Sequence, residues 1–226
     1  MLTYAHAVLS AAELARGRAV LAAATWEDGR ATAGPQSALA KRNLQLPEGS
    51  AAGVELGQLV LDALRRHSGF IAAALPLRVF PPLFNRYDAG MGFDAHIDNA
   101  IRFATNGARY RTDIACTLFL SDPADYDGGE LVIEGAFGEQ RVKAPAGDAV
   151  VYPASSVHRI EPVTRGSRLA AFFWVQSMVR DDGRRALLHG LDRDIATARA
   201  ELGDAHRAVV GLTGAYHNLI RMWAEA

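Results

Sequence analysis

Cysteine is almost absent from this sequence, with Cys116 as the single example among 226 residues. A lone thiol cannot form a disulfide within the chain, and this usage is typical of reducing compartments, so we predict a cytoplasmic protein. The chain also has no apolar run of 18 residues, and its first 17 residues lack the charged and apolar regions of a signal peptide. We therefore expect neither a membrane span nor a secretory leader.

An excess of charge of either sign is also missing. Lys and Arg total 24 and Asp and Glu total 25, which gives a formal net charge of −1. Without a basic excess or a base-reading motif, no nucleic-acid partner is expected. Hydrophobic residues make up 50% and charged residues 22% of the chain, the balance of a folded protein rather than a disordered one. At roughly 100–200 residues per domain, the length fits one large domain with or without appended segments.

Residues 1–77 are predicted to be a mostly helical region that packs on the core. A capping box opens at Ser10, and a second helical stretch near 51–67 is followed by the breaker Ser68-Gly69. The Gly-, Pro- and Asn-rich segment 28–50 is interpreted as the connector between the two helical stretches.

Residues 78–178 change to short runs of β-branched and aromatic residues, separated by turn sequences such as SDPADYDGG and PAGD. Many short strands with turn residues between them are typical of a β-sandwich or a barrel. The predicted strands lie near 78–87, 94–98, 112–120, 130–134, 139–143, 148–152, 157–161 and 167–177.

Residues 179–226 return to helical periodicity, and Gly203 divides them into two helices that can pair as a hairpin. The second helix carries an apolar stripe, which requires a partner surface. We predict that this stripe packs against the core or builds a homo-oligomer, with the oligomer preferred. Its members are Tyr216, Leu219, Ile220 and Trp223.

The triplet His96-Ile97-Asp98 is the first candidate site, because residues two apart on a strand point to the same face. His158 lies in another predicted strand, and if the two strands face each other, two imidazoles and one carboxylate converge. Such a set on one face of an iron ion leaves coordination positions open for substrate and oxygen. Taken alone, the triplet is better explained as a chance surface pair, and His158 equally fits a core histidine bonded to a backbone carbonyl.

A charged residue opens the most apolar run of the chain, Arg168 in RLAAFFWV. A guanidinium that enters a buried strand must be paired, either with an anionic ligand held by its fork or with an ordinary Asp or Glu. Tyr87 ends the run LFNRY, and its phenol either donates to the same anionic ligand or simply packs. The basic segments Lys41-Arg42 and Arg102–Arg111 either approach the mouth of this pocket or form a solvated basic face.

Long segments of the chain resemble the bacterial PKHD-type hydroxylases, PiuC-like relatives of the prolyl and lysyl hydroxylases. The resemblance is carried by NRYDAGMGFDAHIDNA, GGELVIEG and VVYPASSVHRIEPVTRGSRLAAFFWVQSMVRDD. It extends to ATAGPQSALAKRNLQLP and to the tail after VRDDGRR, and so covers nearly the whole chain. These proteins belong to the Fe(II)- and 2-oxoglutarate-dependent dioxygenases.

The resemblance implies an α+β fold whose core is a double-stranded β-helix, or jelly roll, flanked by N-terminal and C-terminal helices. Residues 78–178 would then be the dioxygenase domain between the two helical regions, 1–77 and 179–226. Two phenylalanines, Phe93 and Phe119, stand where many or some prolyl hydroxylases have a tyrosine.

The resemblance also implies roles for individual residues. His96, Asp98 and His158 would hold Fe(II). Arg168 would bind the distal carboxylate of 2-oxoglutarate, and Tyr87 would help to bind that carboxylate.

The implied activity couples oxidative decarboxylation of 2-oxoglutarate to succinate and CO2 with hydroxylation of an unidentified small-molecule or peptide substrate. L-ascorbate is the implied reductant, and a role in iron uptake or homeostasis is the implied context. Two alternatives remain open. A cupin-like metal enzyme that does not use 2-oxoglutarate would not need Arg168, and a binding module or sensor on the same fold would bind metal and form no succinate.

Overall fold

A computed structural model describes residues 1–32 and 40–225. The predicted connector 28–50 and the segment ATAGPQSALAKRNLQLP therefore fall partly outside the described residues, as does the last residue of the predicted C-terminal region. The helices within the described residues are α1 Ala11–Ala23, α2 Ala51–Arg66, α3 Ser68–Ala74, α4 Asp182–Leu202 and α5 Arg207–Trp223. The strands are β1 Thr3–Ala5, β2 Glu27–Asp28, β3 Lys41–Arg42, β4 Leu44–Gln45, β5 Pro76–Val79, β6 Leu83–Asp88, β7 Gly92–His96, β8 Ile101–Phe103, β9 Arg109–Arg111, β10 Ile114–Phe119, β11 Tyr126–Gly128, β12 Leu131–Gly135, β13 Gly138–Val142, β14 Ala149–Pro153, β15 His158–Ile160 and β16 Val163–Ser177.

Two antiparallel sheets form the core of the fold. The larger sheet has the order β1-β14-β10-β16-β6-β4-β2, and the smaller sheet has the order β13-β12-β15-β7-β3. The long strand β16 pairs with β10 and β6 in its middle and with β11 and β5 near its two ends. Strands β8 and β9 form a separate hairpin. Two antiparallel sheets that share a core are the architecture of a jelly roll, as the resemblance implied.

Strand β10 shows how the sequence builds a core on each face of the larger sheet. Its six residues are all buried, because helices cover one face and the smaller sheet covers the other. Cys116 and Leu118 pack in the cluster that includes residues of α1, α2 and α3. Ala115 and Phe119 pack in the cluster between the two sheets. This alternation follows from the two-residue period of a strand.

The N-terminal region contributes strands to both sheets as well as helices. Strand β1 pairs with β14, β2 and β4 extend the larger sheet, and β3 pairs with β7 of the smaller sheet. These strands are two or three residues long, which is too short for a detectable period in the sequence. The division of the chain into regions 1–77, 78–178 and 179–226 stays a prediction.

Proline and helix-capping chemistry move several predicted boundaries. The predicted strand 78–87 is divided into β5 and β6, because Pro81 and Pro82 lack the N–H that a strand ladder needs. The predicted strand 94–98 lies at 92–96 instead. The helical stretch predicted near 51–67 ends at Arg66, but the pair Ser68-Gly69 begins a second helix, α3, whose first turn is capped by the His67 ring accepting from the Phe70 N–H.

The C-terminal helices pair as a hairpin about Gly203, as predicted. The apolar stripe of α5 packs within the chain against Leu75, Val179 and Leu188. This confirms the packing alternative for the stripe, and a homo-oligomer stays a prediction. In the described part of the chain, no helix combines the length and apolarity needed to cross a bilayer.

The turn between β11 and β12 depends on glycine. Gly128 has φ +68°, and a Cβ added there would lie 2.2 Å from the Pro162 carbonyl oxygen. We therefore expect Gly128→Ala to lower the free energy of unfolding by more than about 2 kcal/mol, from left-handed strain and the clash together. Urea unfolding followed by circular dichroism measures this change.

Gly190 provides a matched control, because it lies inside α4 and an added Cβ there would meet no atom within 4 Å. Gly190→Ala should leave the unfolding free energy unchanged or raise it by about 0.5–1 kcal/mol. Equal stability of Gly128→Ala and the unaltered chain would contradict the strain at this turn.

Candidate metal centre

Two histidines and one aspartate converge where β7 and β15 pair in the smaller sheet. His96 ends β7 and is the register partner of His158, which begins β15, and their ring centroids are 4.2 Å apart. Asp98 lies two residues beyond the end of β7, with its Oδ2 3.9 Å from Nε2 of His158. One ligand atom from each residue lies within 4.8 Å of the other two. A single metal ion can bridge three ligand atoms at this spacing.

Backbone carbonyls orient both imidazoles toward a metal. Nδ1 of His96 is 2.9 Å from the Asp94 carbonyl oxygen, and Nδ1 of His158 is 3.1 Å from the Ser156 carbonyl oxygen. Because a carbonyl oxygen can only accept, each Nδ1 carries the proton and each Nε2 keeps its lone pair. Such outer partners fix the tautomer and the ring orientation of metal-binding histidines.

The surroundings favour the neutral imidazole that a metal requires. Burial, followed by the influence of His158, lowers the pKa of His96 to about 4. The side chains of His158 and Asp98 are 7% and 11% exposed. Phe93 stands where many prolyl hydroxylases have a tyrosine. Its ring stacks on the ring of His96, a candidate metal ligand, at a centroid distance of 3.7 Å. The site therefore offers the ring nitrogens of two histidines, with His96 uncharged at neutral pH, and one carboxyl group.

Arg168 is a fully buried cation without an anionic partner. It is 1% exposed, and its Nε, Nη1 and Nη2 have no hydrogen-bond partner among the described residues. Its guanidinium carbon lies 5.5 Å from the Tyr87 ring centroid and 5.3 Å from that of Phe119. The ordinary ion pair with Asp or Glu is absent from the described part of the chain. A buried guanidinium is costly unless paired, so this one suits an anion that is not part of the chain.

Three buried tyrosines lie around these groups. Tyr87 is the register partner of Arg168 between β6 and β16, and burial raises its pKa to about 12 against the opposing effect of the Arg168 charge. The Tyr126 hydroxyl is buried without a hydrogen-bond partner, and burial raises its pKa in the same way. The Tyr152 ring packs edge-on against His158 at 5.2 Å. Burial raises the pKa of Tyr152 as well, so all three tyrosines keep their hydroxyl proton at neutral pH.

Sequence reasoning missed two of these tyrosines. Tyr126 stands inside the turn sequence SDPADYDGG, and Tyr152 stands in the apolar strand β14. Neither position carries a local signal that separates a pocket residue from a turn or core residue, because only the pairing of β11 and β14 with other strands decides what their side chains face.

One cavity joins the triad to Tyr87 and Tyr152, and both basic segments contribute to its wall. Lys41 and Arg102 line it, whereas their neighbours Arg42 and Arg109 are exposed. Each segment thus has one residue at the pocket and others on a solvated face. Arg168 is not among the lining residues, and it lies buried against the ring of Tyr87.

Comparison with known families gives two matches along the chain. Residues 82–176 match the family described as the 2OG-Fe(II) oxygenase superfamily, and residues 182–225 match the PKHD-type hydroxylase C-terminal domain. The chain is 59% identical to a PKHD-type hydroxylase of Methylobacterium nodulans and 58% identical to one of Gluconobacter oxydans, each over 226 residues. Both alignments cover 100% of this chain and 100% of the relative.

Solved structures with a similar fold include two enzymes that share little sequence. The first is a prolyl hydroxylase from Trichoplax adhaerens in complex with a hypoxia inducible factor peptide (TM-score 0.56, 15% identity, 82% of this chain and 86% of that chain). The second is HygX from Streptomyces hygroscopicus with nickel and 2-oxoglutarate bound (TM-score 0.54, 17% identity, 76% and 81%). At these identities the likeness concerns the fold, and it confirms the jelly-roll core.

Proposed function

Because this chain belongs to the PKHD-type hydroxylases of the 2OG-Fe(II) oxygenase superfamily, we propose that His96, Asp98 and His158 hold its Fe(II) and that Arg168 anchors its 2-oxoglutarate. The chain is accordingly a 2-oxoglutarate-dependent hydroxylase, an oxidoreductase. The donor set supports iron, since two neutral imidazoles and one carboxylate on one face are the ligands that non-haem Fe(II) oxygenases use.

The single observation that carries the proposal is the buried guanidinium of Arg168, which has no hydrogen-bond partner among the described residues. A dicarboxylate cosubstrate supplies the missing partner through its distal carboxylate. A cupin-like enzyme without this cosubstrate leaves the buried charge unexplained, and so does a metal-binding sensor. In this proposal Tyr87 and Tyr126, whose hydroxyls stay protonated, donate further hydrogen bonds to the same carboxylate.

The proposed reaction converts a substrate C–H group, dioxygen and 2-oxoglutarate into a C–OH group, succinate and CO2. One oxygen atom of dioxygen enters succinate and the other enters the substrate. When bound, the iron supplies the redox chemistry that activates dioxygen. The residues of this chain hold the metal through three ligands, orient 2-oxoglutarate through Arg168, and exclude water with the apolar wall of the cavity, to which Phe93 and Trp174 contribute.

Several parts of the proposal depend on the resemblance alone. These are L-ascorbate as the reductant, a small-molecule or peptide substrate, and a role in iron uptake or homeostasis. The homo-oligomer and the cytoplasmic location stay predictions from the apolar stripe of α5 and from the lone Cys116.

Anaerobic absorption spectroscopy tests the proposal. Addition of Fe(II) and then 2-oxoglutarate should produce a metal-to-ligand charge-transfer band, because the keto acid chelates the metal. Glutarate, which has the same chain length but lacks the keto group, should produce no band. In air, succinate should form in step with the loss of 2-oxoglutarate, and omission of ascorbate should reduce the number of turnovers. Iron binding without a band on addition of 2-oxoglutarate would overturn the assignment.

A further inference from the structure

The active-site cavity contains a second guanidinium that lacks a polar partner, that of Arg102. Its Nε is buried without a hydrogen-bond partner, and no hydrogen bond or ion pair joins its guanidinium to another described residue. The other described arginines that are not exposed donate to a carboxylate or to a backbone carbonyl, except Arg168. Because the cosubstrate accounts for Arg168, Arg102 is left for another ligand.

The β8–β9 hairpin aims Arg102 into the cavity. Ile101 and Phe103 on either side of it are 48% and 65% exposed, so the alternation of the strand turns Arg102 inward. Its guanidinium carbon lies 4.1 Å from the Trp174 ring centroid and 5.3 Å from that of Phe80. A guanidinium held over aromatic rings keeps its in-plane N–H groups available for a bidentate partner.

Lys41 places a second positive charge on the same cavity wall. It is 5% exposed, and its Nζ donates to Oε1 of Gln45 at 2.9 Å. Its Nζ also lies 5.8 Å from the Phe93 ring centroid and 5.9 Å from that of Phe172. The Phe172 ring is in edge contact with Trp174 at 5.7 Å, so aromatic side chains connect Lys41 to Arg102.

The charges of the loaded site leave the guanidinium of Arg102 as a surplus. The two positive charges of Fe(II) and that of Arg168 are balanced by Asp98 and the two carboxylates of 2-oxoglutarate. The carboxylates that act on Arg102 are Asp98, which is already counted, and Glu48, which is exposed. None of the carboxylates in the described residues forms an ion pair with Arg102. A cavity with this surplus favours an anionic occupant.

We propose that Arg102 and Lys41 bind a carboxylate of the primary substrate, while the aromatic side chains between them contact its apolar part. The inference rests on the proposed function, since it assigns a substrate class to the same site. A carboxylate matches the two-pronged geometry of Arg102 and neutralises the surplus charge. The substrate is therefore an acid, either a small carboxylic acid or a peptide that presents a carboxylate.

The test uses benzoate and benzamide as probes, because they share shape and aromatic ring and differ in charge. Each is titrated calorimetrically, without oxygen, into the full-length protein loaded with Fe(II) and 2-oxoglutarate. Benzoate should bind at least about tenfold more tightly than benzamide, as expected for a charge-assisted hydrogen bond. N-acetylphenylalanine and its amide form a second pair, and tighter binding of this acid than of benzoate indicates a peptide carboxylate.

Variants identify the residues responsible. Arg102→Gln should weaken benzoate binding by about 10- to 100-fold, and Arg102→Lys, which keeps the charge, should fall between it and the unaltered protein. Lys41→Gln should weaken benzoate binding about tenfold. Two exposed residues provide matched controls. Arg109→Gln removes a charge from the hairpin that carries Arg102, and Arg42→Gln removes one from the strand that carries Lys41, in both cases without altering the cavity.

The outcomes separate this inference from the proposed function. Absence of the charge-transfer band with 2-oxoglutarate contradicts the proposed function, whatever the probes do. A normal band with equal binding of benzoate and benzamide overturns only the carboxylate site. Unchanged benzoate binding in Arg102→Gln overturns it as well, and so does loss of the band on addition of benzoate, which would place the probe at Arg168.

Discussion

Replacement of Arg168 by alanine is expected to weaken 2-oxoglutarate binding by roughly 30- to 4,000-fold while Fe(II) binding is retained. The range corresponds to the ~2–5 kcal/mol lost when one partner of a buried charge pair is removed. Arg168 is 1% exposed, and its guanidinium has no hydrogen-bond partner among the described residues. Its removal therefore frees no other side chain that could bind the carboxylate in its place. Titration of 2-oxoglutarate against the charge-transfer band, with an iron titration in parallel, measures both affinities.

Two further substitutions separate the role of the charge from that of the fold. Arg168→Met keeps most of the volume and removes a buried charge, so the protein without ligands should unfold at an equal or higher denaturant concentration. Arg168→Lys supplies a point charge without the fork and should bind 2-oxoglutarate with intermediate affinity. The matched control is Arg165→Ala on the same strand, because Arg165 is exposed and paired with Asp127. Retention of full cosubstrate affinity in Arg168→Ala would favour the cupin-like alternative.

Replacement of His158 by alanine is expected to lower Fe(II) affinity by more than about 100-fold. Loss of an outer hydrogen-bond partner of a metal ligand costs 10- to 100-fold, and loss of one of three ligands should exceed that. The cavity offers no substitute, since His96, Asp98 and His158 are the only cluster of three potential metal ligands among the described residues. Anaerobic calorimetric titration with Fe(II) measures the change.

His217→Ala is the matched control for this prediction, because His217 lies on the exposed face of α5. It should leave iron affinity unchanged. Asp98→Ala should behave like His158→Ala, which guards against a local packing effect at a single position. Unchanged iron binding in His158→Ala would remove the triad as the metal site, and the proposed role of Arg168 would then need a different centre.

Patterns within single elements were readable from the sequence. The Ser10 capping box, the α2 helix and the strand runs of the jelly roll each depend on neighbours a few residues away, and each appears in the structure close to its predicted place. The meeting of His96 and His158 was implied by the resemblance to the PKHD-type hydroxylases, whereas the residues alone left it conditional on two strands facing each other, as β7 and β15 do. An arginine at the start of an apolar run indicates a buried partner by the cost of burying its charge, but the sequence left open whether that partner is a ligand or an ordinary Asp or Glu.

The lining of the cavity was decided by the tertiary structure. Lys41 reaches the cavity because a two-residue strand pairs with β7. Behind the cavity wall, Tyr126 lies close enough to feel the Arg168 charge because β11 pairs with one end of β16. Arg102 enters the cavity while Arg109, on the same hairpin, is exposed. The sequence by itself determined a β-rich core between helical regions and a charged residue at the start of an apolar run, since these follow from local periodicity. The jelly roll and the iron-binding roles of His96, Asp98 and His158 were implied by the resemblance to the PKHD-type hydroxylases. The second pair of cations and the carbonyls that orient the histidines depend on pairings between distant segments, which no local pattern encodes.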